Sequence, residues 1–172
     1  EAGINVLHCP ESNLKLASGL CPVQKLLDAG INVALGTDGA ASNNDSDMLG
    51  EMRTAALIGK IASNDAAALP AAATLHMATL GGAKALGIEE QTGSLVEGKW
   101  ADLCAIDLSA PETQPIYDPI SQIVYAAGRE QVSDVWVAGK RLLHERKLTT
   151  LNLSEILEHA SQWQARLSAA PE

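Results

Sequence analysis

A chain of 172 residues with 47% hydrophobic and 19% charged side chains can bury a core, and is neither a disordered tail nor a solvated linker. Aromatic residues are 3% with Phe absent, so the core must come from Ala, Leu, Ile and Val, and base-stacking platforms are not expected. Twelve Lys and Arg against 21 Asp and Glu give a net charge of −9 at neutral pH, which repels phosphate backbones and anionic lipid and argues against nucleic-acid and membrane-surface partners.

No run approaches the roughly 18 apolar residues of a membrane span. Cys9, Cys21 and Cys104 are odd in number, far apart and outside any CxxC, which suits reduced thiols in a cytoplasmic protein. The chain opens on Glu1-Ala2-Gly3-Ile4-Asn5-Val6, and nearly the same run returns 27 positions later as Asp28-Ala29-Gly30-Ile31-Asn32-Val33. In the second copy a short amphipathic helix from Pro22 to Ala29 leads into the glycine and then a strand. Helix, glycine, strand at this spacing is the rhythm of a parallel β/α fold, and the first copy is expected to have lost its helix and everything before it.

Asp47 to about Ile61 reads as a helix with Leu49, Met52, Ala56 and Ile61 on its apolar side, punctuated by Asn64 and Asp65. Pro70 opens an Ala-rich helix through Met77, and Gly81-Gly82 is expected to break it before a short piece to Leu86. From Gly93 the period changes to strands. Leu103–Ile106 and Val132–Val137 are the clearest, and Val137-Ala138-Gly139-Lys140 reads as a tight turn into Arg141-Leu142-Leu143. Trp100 and Trp136 are expected to pack in this part. The last helix starts at Asn152, with Glu155 placed for a capping box, and carries Leu153, Ile156, Leu157, Ala160, Trp163 and Leu167 as one stripe. The expected division is an α/β part over 1–90, a β-rich part over 91–150 and a helix over 151–172.

Strand alternation singles out one carboxylate. Ile31, Val33 and Leu35 share one face, suited to a helix layer, while Asn32, Ala34 and Gly36 share the other, and continuing the alternation reaches Asp38. Asp38 would then stand at the C-terminal end of a parallel strand, where barrel folds assemble their active sites. From these residues alone an Asx turn before Gly39 is the commoner fate of such a carboxylate. Other motifs carry less. Gly81-Gly82 lacks a phosphate-loop Lys-Ser/Thr, and Ser12 and Ser42 lack a nucleophile elbow. Asn43 to Asp47 lacks calcium-loop spacing, so Asp47 is read as a helix cap.

Leu35-Gly36-Thr37-Asp38-Gly39-Ala40-Ala41-Ser42-Asn43-Asn44 closely resembles the last-strand motif of the amidohydrolase superfamily, in its 5-methylthioadenosine/S-adenosylhomocysteine deaminase branch. Val6 to Leu16, with His8-Cys9-Pro10-Glu11-Ser12-Asn13, is similar to the segment before it in that branch. Gly93 to Leu103 and Val135 to Lys140 resemble parts of the small β-sandwich domain that flanks the barrel across the superfamily.

The resemblance implies the last two strand–helix units of a (β/α)8 barrel, part of a small β-sandwich built from both chain ends, and a C-terminal helix. It implies one divalent metal, usually zinc, held by a His-x-His pair, a middle-strand His and a final Asp. Here Asp38 matches that final ligand, with a catalytic and substrate-binding role, and Ser42 on the following loop is placed to reach a purine. The implied reaction is attack of a metal-bound hydroxide on C6 of an adenine ring with loss of ammonia.

His-x-His, the middle-strand His and the acidic Glu have no match. The histidines are His8, His76, His144 and His159. Of these only His8 is placed near a barrel mouth, and it corresponds to no ligand position. A full barrel takes roughly 250 residues, so the chain alone is expected to be inactive. Its substrate would be a small purine nucleoside, and a homo-oligomer is compatible with the sequence. Two other readings remain at this point: a sister activity (guanine or cytosine deamination, triazine hydrolysis) and a non-catalytic remnant serving as an interaction module. If the sheet is cut, residues 1–61 should be less stable alone than the part from Gly93 onward.

Overall fold

The computed structural model describes residues 3–169, so Glu1-Ala2 of the first repeat and the last three residues of the expected C-terminal helix region lie outside the described residues. The chain runs β1 (Asn5–His8), α1 (Pro10–Lys15), α2 (Val23–Asp28), β2 (Asn32–Leu35), α3 (Met48–Ser63), α4 (Ala71–Ala78), α5 (Leu80–Leu86), β3 (Leu103–Ile106), α6 (Pro119–Tyr125), β4 (Val132–Val137), β5 (Lys140–His144), β6 (Lys147–Leu148) and α7 (Leu153–Ser168). No helix among the described residues is long and apolar enough to cross a membrane.

The 27-residue repeat is a pairing register. β1 and β2 lie parallel with Asn5 opposite Asn32, Val6 opposite Val33, Leu7 opposite Ala34 and His8 opposite Leu35. Each pair is therefore one residue of the first copy beside its equivalent in the second. At the start of the pair Asn32 Nδ2 donates to Asn5 Oδ1 at 2.8 Å and to the Gly81 carbonyl at 3.0 Å, which ties α5 to the strand. Val33 and Leu35 enter the buried core, with Val6 packed against it, so this face meets the helices as the alternation predicts.

α3 is the central helix of the core. Asp47 caps it by accepting from the Leu49 N–H at 2.9 Å, and Asn64 ends it in a left-handed conformation. Leu49, Met52, Ala55 and Ala56 are buried, but Ile61 is 73% exposed: the buried face runs through Ala55 and Gly59 instead. Gly59 lets Leu69 lie across the helix, because a Cβ there would stand 3.0 Å from Leu69 Cδ2. The glycine pair does not break the next helix either. The break falls at Thr79, and Gly81 sits inside α5, where a Cβ would meet the carbonyls of His76 and Val33 at 3.0 Å. Close packing of helix on strand, not chain reversal, is what glycine serves there.

The second part is an antiparallel sheet in the order β3-β4-β5-β6. Ala138 and Gly139, both at positive φ, make the two-residue turn between β4 and β5. Trp136 lies under the Arg141 guanidinium, 4.8 Å from ring centre, whereas Trp100 is 56% exposed and does not pack as expected. α7 is capped by Asn152, which accepts from Ser154 and Glu155, but its apolar stripe is exposed along its length.

The buried cluster centres on β2, α3, Leu69 and Met77, with Val124 of α6 joining it. The buried core thus lies mostly within residues 1–90, where helices cover one face of the β1–β2 pair. Leu69→Ala should cost about 2–5 kcal/mol, the range for emptying a fully buried leucine site, while Leu167→Ala on exposed α7 should change stability by less than about 0.5 kcal/mol. Urea unfolding of the two variants checks where the core lies.

Candidate active site

Parallel pairing puts the C-terminal ends of β1 and β2 at one end, so the segments that leave them meet. β1 passes through Cys9 into α1, whose first residue, Pro10, is suited to a helix start. β2 ends at Leu35 and passes into a loop that reaches α3 at Asp47. Gly36 lies against Cys9 at this junction, since a Cβ on it would be 3.3 Å from Cys9 Sγ.

Asp38 stands on the loop with φ 62, a left-handed conformation that Asp tolerates better than most residues. Strand alternation therefore stops short of it, and hydrogen bonds set its direction. Its Oδ2 accepts from Ser12 Oγ at 2.8 Å and from Ser42 Oγ at 2.5 Å, and its Oδ1 accepts from the Gly39 N–H at 2.8 Å. An Asx turn would use the N–H two residues on, so this carboxylate is not spent on one. The Ser42 hydroxyl, then Ser12 and the Gly39 N–H, hold its carboxyl below the usual Asp range, so at neutral pH it is an exposed anion with a fixed orientation.

Behind this clamp lies a second carboxylate. Glu51 is fully buried on α3, and it accepts from the Glu11 N–H at 3.2 Å and from Asn43 Nδ2 at 2.5 Å. Burial above all, with the charges of Glu11 and Asp45 adding to it, pushes its pKa up to about 7 against the pull of those two donors. Glu11 is turned to Thr54, whose hydroxyl donates to it at 2.8 Å. On the outside, Lys15 Nζ donates to the Ala41 carbonyl at 3.0 Å and to Asn44 Oδ1 at 2.5 Å, a solvent-facing tie between α1 and the loop.

The sequence singled out Asp38 and Ser42, and the structure brings them into direct contact. It adds Ser12, Asn43 and Glu51. Glu51 had a readable signal: it shares a helical face with Ala55 and Gly59, where a carboxylate has no solvent. His8 is buried and opposite Leu35, hence on the helix-facing side of the pair and away from the loop, not at a mouth. Neither ring nitrogen has a partner among the described residues, and burial lowers its pKa. His76, His144 and His159 are exposed, on α4, β5 and α7. A larger cavity of about 650 Å³ between α3, α4 and the β3–β4 strands is mainly lined by apolar side chains such as Met52, Leu75 and Ile106, and Asp38 is not among its walls.

The sequence pattern of the amidohydrolase family matches residues 1–142. The chain belongs to the amidohydrolase family. Among curated members, the 5-methylthioadenosine/S-adenosylhomocysteine deaminase of Teredinibacter turnerae is 54% identical over 168 residues, 98% of this chain and 38% of that protein. The deaminase of the same name from Natronomonas pharaonis is 43% identical over all 172 residues, 39% of its length. Among solved structures, an adenosine deaminase from Xanthomonas campestris with bound zinc superposes with a TM-score of 0.96 at 55% identity, over 98% of this chain and 38% of that one. Atrazine chlorohydrolase from Arthrobacter aurescens, complexed with zinc, gives 0.88 at 32% identity over 94% and 36%. The chain thus spans under two-fifths of the length of these relatives.

Glu51 makes the fold's stability pH-dependent with a defined sign. Its pKa is raised from an ordinary 4.5 to about 7, so the folded state holds the proton more tightly than the unfolded state. That contribution is complete below about 4.5 and is lost as the pH rises through 7. Glu51→Gln removes the titration. Thermal melts from about pH 5 to about pH 8 should therefore show the variant gaining on the parent chain as pH rises; parallel curves would contradict the assignment.

Proposed function

We propose that this chain is the C-terminal portion of a metal-dependent hydrolase that deaminates the adenine ring of 5-methylthioadenosine or S-adenosylhomocysteine and releases ammonia. In this reading residues 1–90 are the last two strand–helix units of a (β/α)8 barrel, 91–150 part of a small β-sandwich and 151–172 a C-terminal helix. The parallel β1–β2 pair and the antiparallel β3–β6 sheet support that division. Relatives carrying this deaminase name at 43% to 54% identity, against 32% for the triazine enzyme, support the purine nucleoside as substrate class.

The observation that carries the proposal is the clamped anion at Asp38, in the motif where the family places its last metal ligand. Three donors hold the carboxylate in one orientation and keep it charged, as a ligand for a cation requires. Among the described residues no three His, Cys, Asp or Glu side chains gather to hold an ion, and His8 lies on the wrong side of the strands. One carboxylate does not replace a four-ligand zinc centre, so the remaining ligands belong to the rest of the protein. Zinc in the Xanthomonas and Arthrobacter structures supports zinc as the metal.

Ser42 has a double position. Its single proton is donated to Asp38 Oδ2 at 2.5 Å, with the Gly39 carbonyl 3.1 Å away as the alternative acceptor. A purine would therefore meet its acceptor lone pairs, so a ring or exocyclic N–H is the complementary group.

Asp38→Asn in the full-length protein should abolish turnover of 5-methylthioadenosine, because an amide is a weak cation ligand and offers donors where Ser12 and Ser42 already donate. A spectrophotometric assay of adenine deamination reads this, and near-normal turnover would overturn the proposal. The isolated chain should give no stoichiometric zinc binding by calorimetry at micromolar concentration, since it offers a single matched ligand.

A further inference from the structure

We propose that Glu51 is a positioning residue for Asp38, tying together the two segments whose serines clamp that carboxylate. The inference rests on the reading of Asp38 as the catalytic carboxylate. Among the described residues no hydrogen bond joins Glu51 to Asp38 directly. One of its oxygens accepts from the Glu11 N–H, and Glu11 is followed by Ser12; the other accepts from Asn43 Nδ2, and Asn43 follows Ser42. Ser12 and Ser42 both donate to Asp38 Oδ2. A closed frame results: Glu51 to Glu11, Ser12, Asp38, Ser42, Asn43 and back to Glu51. Being on α3, it fixes the α1 start and the loop against the most buried helix of the molecule.

The chemistry of the acid matters to the frame. Both partners are donors, so a carboxylate satisfies them with its two oxygens, whereas a carboxamide accepts from one and turns an N–H₂ on the other. An aliphatic side chain would fill the same buried volume with less electrostatic penalty, and packing alone gives no reason for an acid here. Lys15 makes the solvent-facing counterpart of this tie, between exposed groups.

The test uses the full-length protein loaded with zinc. Glu51→Gln should lower kcat about tenfold, the lower end for groups that hold a metal ligand's partners, with a smaller change in KM. Asn43→Asp combined with Glu51→Gln exchanges donor and acceptor across the contact. The amide nitrogen introduced on α3 can then donate to the carboxylate introduced on the loop, and the pair should recover most of kcat. Glu51→Gln added to Ser12→Ala/Ser42→Ala should cost little more, because the serines through which it acts are gone. Asn43→Ser, which leaves Glu51 in place, should also lower kcat and keeps the test open should Glu51→Gln fail to fold. Unchanged kcat in Glu51→Gln, no recovery in the exchanged pair, or full additivity with the serine variants would each overturn the proposal. Loss of activity in Asp38→Asn alongside any of those results would leave the deaminase reading standing, and normal activity in Asp38→Asn would sink that reading separately.

Discussion

Parallel pairing of two strands in register is the constraint from which the site follows. With β1 and β2 running the same way and equivalent residues abreast, both chains of backbone emerge at the same end. Ser12 can then reach Asp38 across 26 residues of sequence. An antiparallel pair would place the start of α1 and the loop after β2 at opposite ends of the sheet. The small residues at the junction are part of the same constraint, for Gly36 leaves room for Cys9 where a larger side chain would push the two segments apart.

α3 converts that local meeting into a rigid one. Its N-terminus is capped from the loop by Asp47, its first turns carry Glu51 and Thr54 toward α1, and its buried face carries Ala55, Ala56 and Gly59 into the core. The same helix reaches the second part of the chain, where Arg53 donates to the Ala127 carbonyl at 2.6 Å, while Arg129 contacts Asp45 of the loop at 3.4 Å. The surface ion pair adds little, being exposed on both sides. The buried contacts are what the loop leans on.

Much of this was legible in the residues because period and punctuation are local. The 27-residue repeat, the Asp47 and Asn152 caps, the β3 and β4 strands and the turn at Ala138-Gly139 depend on a few neighbouring side chains. Contacts between distant segments were not legible. Gly81-Gly82 read as a helix break because glycine's commonest effect is entropic, yet the close approach of Val33 explains Gly81 better. Ile61 fits the helical apolar pattern and still lies in solvent, since the helix turns its Ala55–Gly59 side inward. Asp38 was reached by alternation that ends three residues too early; the serines that orient it come from two segments, and only the fold places both. The exposed stripe of α7 is the reverse case, a clear pattern without a cover among the described residues.

The two carboxylates of this region are held in opposite states by opposite surroundings. Asp38 is in solvent with three donors, and its proton is kept off; Glu51 is out of solvent with two donors and acidic neighbours, and its proton is held to about neutral pH. The donors that keep Asp38 ionised also make it a poor base, because accepting a proton on Oδ2 would require Ser12 or Ser42 to turn away. Oδ1, which accepts only the Gly39 N–H, is the less encumbered oxygen.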